Sequence, residues 1–178
     1  MASTTGEIRA MLGWKWIDGD IIDKGAIGPG ASRVDPISLA NGPDSSQIEG
    51  VWHKEDQSLL QGGSVTYDLT ALQRTLFEDV HEVTFIEIKA IIIYNKSTNN
   101  AYLTVGNAAA NPWLGPFGAT SHTIAVMESA PLILAHPTDG WGVHASNKNL
   151  KLACTGATCT FDIAIVGTLT ASDEDSSS

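Results

Sequence analysis

From Val51 onward the chain alternates apolar and polar residues, and this two-residue period is the signature of strands buried on one face. A convincing 3.6-residue helical period replaces it nowhere. The longest alternating run is 83–94, Val-Thr-Phe-Ile-Glu-Ile-Lys-Ala-Ile-Ile-Ile-Tyr. Its even positions Ile86, Ile88, Ala90, Ile92 and Tyr94 make one continuous apolar face, which the pattern assigns to the core. The odd positions start as Glu87 and Lys89 but continue as Ile91 and Ile93. A sheet open to water should not turn two isoleucines outward. The second face is therefore expected to be covered near its end by another segment or another chain.

The rest of the pattern completes an all-β reading. Val65, Tyr67 and Leu69 share a face of a short strand, and the polar turn 95–100 joins run 83–94 to run 101–106 as a hairpin. An irregular stretch, 107–118, holds Pro112, Trp113, Gly115, Pro116 and Phe117. Strands are predicted at 123–127, 131–135 and 141–145. A last hairpin sets Leu150, Leu152 and Cys154 against Cys159, Phe161, Ile163 and Ile165 across the turn 155–158. About eight short antiparallel strands at this spacing predict a jelly-roll-like β-sandwich. Residues 69–80 have room for one helical turn.

The ends differ from the middle. Residues 1–50 read as an irregular N-terminal arm, punctuated by Gly28-Pro29-Gly30, Asp35-Pro36 and Gly42-Pro43. The arm carries Trp14, Trp16, Ile17, Ile21 and Ile22, whose apolar area must be buried on its own domain or on a neighbouring subunit. Residues 51–170 form the sandwich domain, and residues 171–178 read as a disordered acidic tail.

Charge and composition remove several function classes. The 178 residues carry ten Lys+Arg against twenty Asp+Glu, a net charge of −10. That balance argues against a protein built to grip nucleic acid phosphates or an anionic membrane. No apolar run approaches the roughly 18 residues of a membrane span, and the opening residues do not form a signal peptide, so synthesis in a cytoplasm is expected. Charged residues are only 17% of the chain, so little of the surface is strongly hydrated, and cover by other subunits is expected.

Motifs that would carry catalysis or metal chemistry are weak. His53, His81, His122, His136 and His144 are scattered without ligand spacing. Asp18, Asp20 and Asp23 resemble a calcium loop only superficially, because isoleucines break the ligand pattern. Gly25 to Gly30 mimics a phosphate loop, but Pro29 removes a backbone donor that such a loop uses. Asn95-Lys96-Ser97 has the form of a glycosylation sequon. Cys154 and Cys159 flank one turn on the same face, close enough for a disulfide, yet a cytoplasmic chain reads as keeping them reduced. No catalytic, cofactor or metal residue is assigned, and the chain is expected to be non-enzymatic.

The aromatic residues say more. Trp52, Trp113, Phe117 and Trp141 fall at strand starts or in Gly/Pro loops. Three readings stay open: a sugar-stacking platform, an anchor for a protein interface, or plugs at the ends of the sandwich. The interface reading assigns Trp14, Trp16, Ile21, Ile22, Trp52, Ile91, Ile93, Trp113 and Phe117 to subunit contacts.

Residues 51–59 (Val-Trp-His-Lys-Glu-Asp-Gln-Ser-Leu), 63–69, 85–91, 95–98, 103–106 and 161–167 together resemble small β-sandwich virion proteins of tailed bacteriophages, of the capsid decoration or tail accessory type. The likeness spans about residues 51–168, lies in the texture of the strands, and carries over no functional residue. It implies a structural protein of the virion, made in the bacterial cytoplasm. The sharpest expectation is a cement protein, a homotrimer that binds the major capsid protein across subunit junctions. A tail, baseplate or fibre subunit is the alternative within that class. A carbohydrate-binding module using Trp113 and Trp141 is the alternative outside it.

Overall fold

In the computed structural model, the described residues are 6–8, 12–18, 21–27, 37–76 and 79–170, and side chains are described for 37–74 and 80–170. All regular structure among them is β. In chain order the strands are β1 (Gly6–Ile8), β2 (Leu12–Asp18), β3 (Ile21–Ile27), β4 (Ile37–Asn41), β5 (Gln47–Ile48), β6 (Gly50–Leu59), β7 (Ser64–Asp68) and β8 (Leu72–Leu76). They continue as β9 (Asp79–Val83), β10 (Phe85–Asn95), β11 (Tyr102–Gly106), β12 (Thr123–Val126), β13 (Pro131–Ala135), β14 (Trp141–Gly142), β15 (Asn149–Thr155) and β16 (Cys159–Leu169). Over 69–80, where the sequence leaves room for a helical turn, the chain runs into β8 and on to β9, which pair antiparallel.

Nine strands make a sandwich of two antiparallel sheets, one of five strands and one of four. One has the order β13-β10-β16-β6, with β14 also on β10, and the other the order β12-β11-β15-β7. The pairing is nested: β6 meets β16, β7 meets β15, β10 meets β13 and β11 meets β12. Alternation supplies the filling. Cys159, Phe161, Ile163 and Ile165 of β16 face Leu150, Leu152 and Cys154 of β15 and Leu103 and Val105 of β11 in one core. Asn95 is wholly buried among them. Its amide donates to the Ala101 and Val126 carbonyls at 2.9 and 3.0 Å and accepts from the Ser97 N–H, so the sequon asparagine is an internal strut.

Strand β10 reverses the expected faces. Ile91 and Ile93 point into the core, whereas Ile86, Ile92 and Tyr94 are exposed. The cause is local. The register against β16 slips between Phe85 and Glu87 and again between Ile88 and Ala90. Such bulges insert a residue and switch which parity faces inward, so Ile88 is an inward even residue and Ile91 an inward odd one. The second bulge takes in Lys89, only 1% exposed, whose amine donates to the Glu87 carboxylate at 2.8 Å and to the Thr138 carbonyl at 3.0 Å. Opposite the bulges Gly167 presses against the Glu87 carbonyl so closely that a Cβ there would overlap it.

Further expectations change. Neither expected hairpin forms: β10 and β11 fall in different sheets, and so do β15 and β16, so each connection crosses from one sheet to the other. Cys154 and Cys159 are joined in a disulfide, with Cα atoms 5.8 Å apart across the β15–β16 turn. That separation lies inside the bridging range. The stretch 1–50 is also not uniform. Leu39 and Ile48 are buried, Ser46 N–H donates to Thr138, Glu49 N–H donates to Gly167, and the Glu49 carboxylate accepts from the Leu169 N–H. Residues 37–50 are thereby fastened to the sandwich. The acidic tail 171–178 lies outside the described residues.

Candidate assembly surface

Five of the nine residues assigned to subunit contacts are core residues of the single chain, so that assignment is corrected. Trp52, Ile91, Ile93, Trp113 and Phe117 are all buried. Trp52 closes the β6 end of the core, donating its indole N–H to the Gln73 carbonyl at 3.0 Å and meeting Tyr67 edge-on. Trp113 plugs the irregular loop, with Phe117 and Trp141 packed edge-on at 6.2 and 5.9 Å. Burial of Trp113 also removes it as a sugar platform. The rings at strand ends therefore fill the gaps that open where two twisted sheets diverge.

Trp14, Trp16, Ile21 and Ile22 lie in β2 and β3, whose backbone forms an antiparallel hairpin; their side chains lie outside the described ones. The register pairs Leu12 with Ile27, Trp14 with Gly25, Trp16 with Asp23 and Asp18 with Ile21, which puts both tryptophans and Ile21 on one face. Lys15 pairs with Lys24 and Ile17 with Ile22 on the other. This hairpin pairs with no other strand among the described residues.

A group of exposed apolar side chains lies on the outer face of the β13-β10-β16-β6 sheet. Its registers lay out two rows across four strands: Val51, Val166, Ala90 and Ala135, then His53, Ala164, Ile92 and Ile133. A third row continues as Asp162, Tyr94 and Pro131. Ile92, Tyr94 and Ile133 are 41%, 40% and 38% exposed, and Val51 is 37%. Of these residues the sequence pattern singles out Ala90, Ile92 and Tyr94, and for the wrong side. The signal that corrects them is β16: its odd positions are plainly the apolar ones, and it pairs Ile93 with Ile163.

A third bulge, in β6, shapes this face. Phe161 pairs with Gln57 but Ile163 with Lys54, so Glu55 and Asp56 crowd opposite Asp162. Asp56 takes a left-handed φ of 52° and its N–H donates to the Asp162 carboxylate at 2.8 Å. The crowding leaves a groove of about 340 Å³ lined by Val51, His53, Lys54, Ile92, Tyr94 and Ala164, among others. Lys96 bonds Asp56 and Asp162 at its edge, and those two hydrogen bonds raise its ammonium above the usual lysine range. Lys54 has no ion-pair partner among the described residues.

Titratable groups elsewhere are dispersed. Among the described residues no three His, Cys, Asp or Glu side chains gather as a metal site would require. His122 meets the Phe117 carbonyl and His136 accepts from the Gly140 N–H, both local loop contacts. Asp18 and Asp23 sit in the hairpin, and Asp20 and residues 28–30 of the glycine-rich stretch lie outside the described residues. Comparison with protein families, curated proteins and solved structures gave no match.

Proposed function

We propose that the chain is a non-enzymatic structural protein that works by docking, and that it is a capsid decoration protein of a tailed bacteriophage. The observation that carries the docking role is the outer face of the β13-β10-β16-β6 sheet. Its inner face is already filled, yet Val51, Ile92, Tyr94 and Ile133 leave the outer one apolar and exposed. Contiguous apolar surface on a folded domain marks an interaction site. The nested strand order accords with a jelly roll, and the more specific role rests on the resemblance read from the sequence over about residues 51–168. A net charge of −10 suits docking on a positively charged rim and keeps the free protein soluble.

The test is co-sedimentation of the purified chain with undecorated heads of a tailed phage, in parallel with isolated tails. Saturable binding to heads at a fixed ratio to the capsid subunit, with a rise in the temperature at which heads break down, is the expected result. Binding to tails alone replaces the head role with a tail role, and binding to neither rejects the virion reading.

A further inference from the structure

We infer that β13 pairs antiparallel with β13 of a second copy of this chain, about a two-fold axis at Ile133. The five-stranded sheets of the two copies then become one continuous sheet. The inference goes beyond the docking role proposed above and does not depend on it. An edge strand presents a row of unpaired backbone groups, a template for another strand, and folded proteins blunt such edges with charge, proline, bulges or cover. Among the described residues β13 pairs with β10 and with no other strand. Its residues alternate between exposed and half-buried, and Pro131, Ile133 and Ala135 are the exposed ones.

The register fixes which backbone groups are free. His136 N–H donates to the Lys89 carbonyl at 2.9 Å, and the Ala130 carbonyl accepts from the Asn95 N–H at 3.0 Å. With Leu132 opposite Ile93 and Leu134 opposite Ile91, the even positions turn their backbone groups to β10. The odd positions turn theirs outward. Ile133 and Ala135 each offer an N–H and a carbonyl there, and Pro131 offers a carbonyl alone because it has no N–H. Ile133 is the midpoint of the strand, so setting it against itself uses Pro131 to Ala135 of both copies and nothing beyond. The two Ile133 residues exchange N–H to carbonyl bonds, and each Ala135 N–H meets the second copy's Pro131 carbonyl. Every outward donor is then satisfied.

Charge selects a second copy as the occupant and a like edge as the contact. Residues 119–138 contain no Lys or Arg and a single carboxylate, Glu128, which turns aside to accept from the Asn100 N–H at 2.7 Å. Two β13 strands therefore meet without like charges opposed, although each chain carries −10. The opposite edge of the sheet is guarded. Strand β6 holds Lys54, Glu55 and Asp56, bulges against β16, and has its Val51 carbonyl taken by the Arg74 guanidinium at 3.2 Å. A head-to-tail contact of β13 on β6 needs that guarded edge, whereas pairing of like edges avoids it and closes after two copies. The unit is then a dimer in place of the trimer expected from the sequence. In it the exposed row through Ile92 and Ile133 runs on into the same row of the second copy, which doubles the apolar outer face.

Light scattering on the full-length chain should give about twice its 18.8 kDa mass. Ile133→Pro removes only the outward N–H, and Ile133→Lys puts a charge at the axis on an exposed site. Each variant should fall to the mass of one chain while still unfolding in a single cooperative transition. Cross-linking then reads the register, because the only two cysteines in the sequence are bonded to each other. On mild oxidation Ile133→Cys should link to itself, since its Cα would lie about 5.5 Å from its counterpart. Ala135→Cys, about 14 Å from its own counterpart along the strands, should not. A wild type of one chain or of three overturns the inference, as does a two-chain mass that Ile133→Lys leaves unchanged. Linking of both cysteine variants, or of neither, overturns it as well. Binding to phage heads is scored separately and bears on the virion reading alone.

Discussion

Asn95 and Trp113 show how single residues hold this sandwich together, and each makes a measurable claim. Asn95 ties three backbone groups in the core, so Asn95→Ala should cost about 2–4 kcal/mol by leaving buried carbonyls without donors. Urea denaturation checks it, and a cost within error of zero would contradict the strut. Trp113 is 2% exposed and its indole N–H has no hydrogen-bond partner among the described residues, so its value is shape. Trp113→Phe should therefore cost less than about 1.5 kcal/mol and Trp113→Ala about 3–5 kcal/mol. Equal costs would mean that the N–H has a partner. Lys89 makes the opposite point about charge. Removing its partner with Glu87→Ala should destabilise by about 1–3 kcal/mol, more than Lys89→Met, which takes the buried ammonium away altogether. At this scale the sequence was misleading for a physical reason: a Trp beside Gly and Pro reads equally well as a surface anchor or a core plug. Burial depends on which loop folds over it, and neither spacing nor composition encodes that.

Among the elements, β15, β16 and β11 were legible because their alternation is strict, with one parity apolar and the other polar. In β10 it was not. Ile91-Ile92-Ile93 is apolar on both parities, and a bulge at Lys89 is invisible to a period-2 count. Register against β16 settles the face, which is a long-range fact that no local window contains. The β8–β9 hairpin was missed because its polar residues break the pattern on both strands. The disulfide ties β15 in one sheet to β16 in the other across their short connection, and the short loop it closes limits its worth. Replacing both cysteines with alanine should cost about 2 kcal/mol in denaturant. Adding reductant to the wild type should shift its midpoint the same way, and an unchanged midpoint would mean that the thiols are not joined. The β7 end supplies a pH dependence. Burial pushes the Asp68 carboxyl upward, but hydrogen bonds from Lys148 and Thr70 outweigh it and hold the group below the usual carboxylate range. A lowered folded value means that this stability is present above the unfolded value and is lost as pH falls through the folded one. Because both partners are partly exposed, solvent screening leaves it below about 1 kcal/mol. Asp68→Asn should flatten the acid limb of a stability-against-pH curve by that amount, and an identical curve would count against the pair.

For the whole molecule, a cut at residue 36 and a cut at residue 50 should behave differently. Deleting 1–36 removes the hairpin and leaves the sandwich melting near its normal temperature. Deleting 1–50 also removes Leu39, Ile48 and the Glu49 bonds to Gly167 and Leu169, and should lower the melting temperature by several degrees. Equal melting temperatures would show that 37–50 adds nothing to the domain. The nested strand order also bears on how the protein is made. Strand β16 is the latest of the sandwich strands along the chain, yet it sits between β6 and β10 and supplies Ala164 and Val166 to the middle of the outer face. During vectorial synthesis β6 waits more than a hundred residues for its neighbour, a separation that slows folding. A ribosome that stalls before Cys159 therefore releases a chain with neither a closed core nor the central column of its docking face. Incorporation into an assembly is thereby restricted to chains whose synthesis has passed β16, without any separate inspection step.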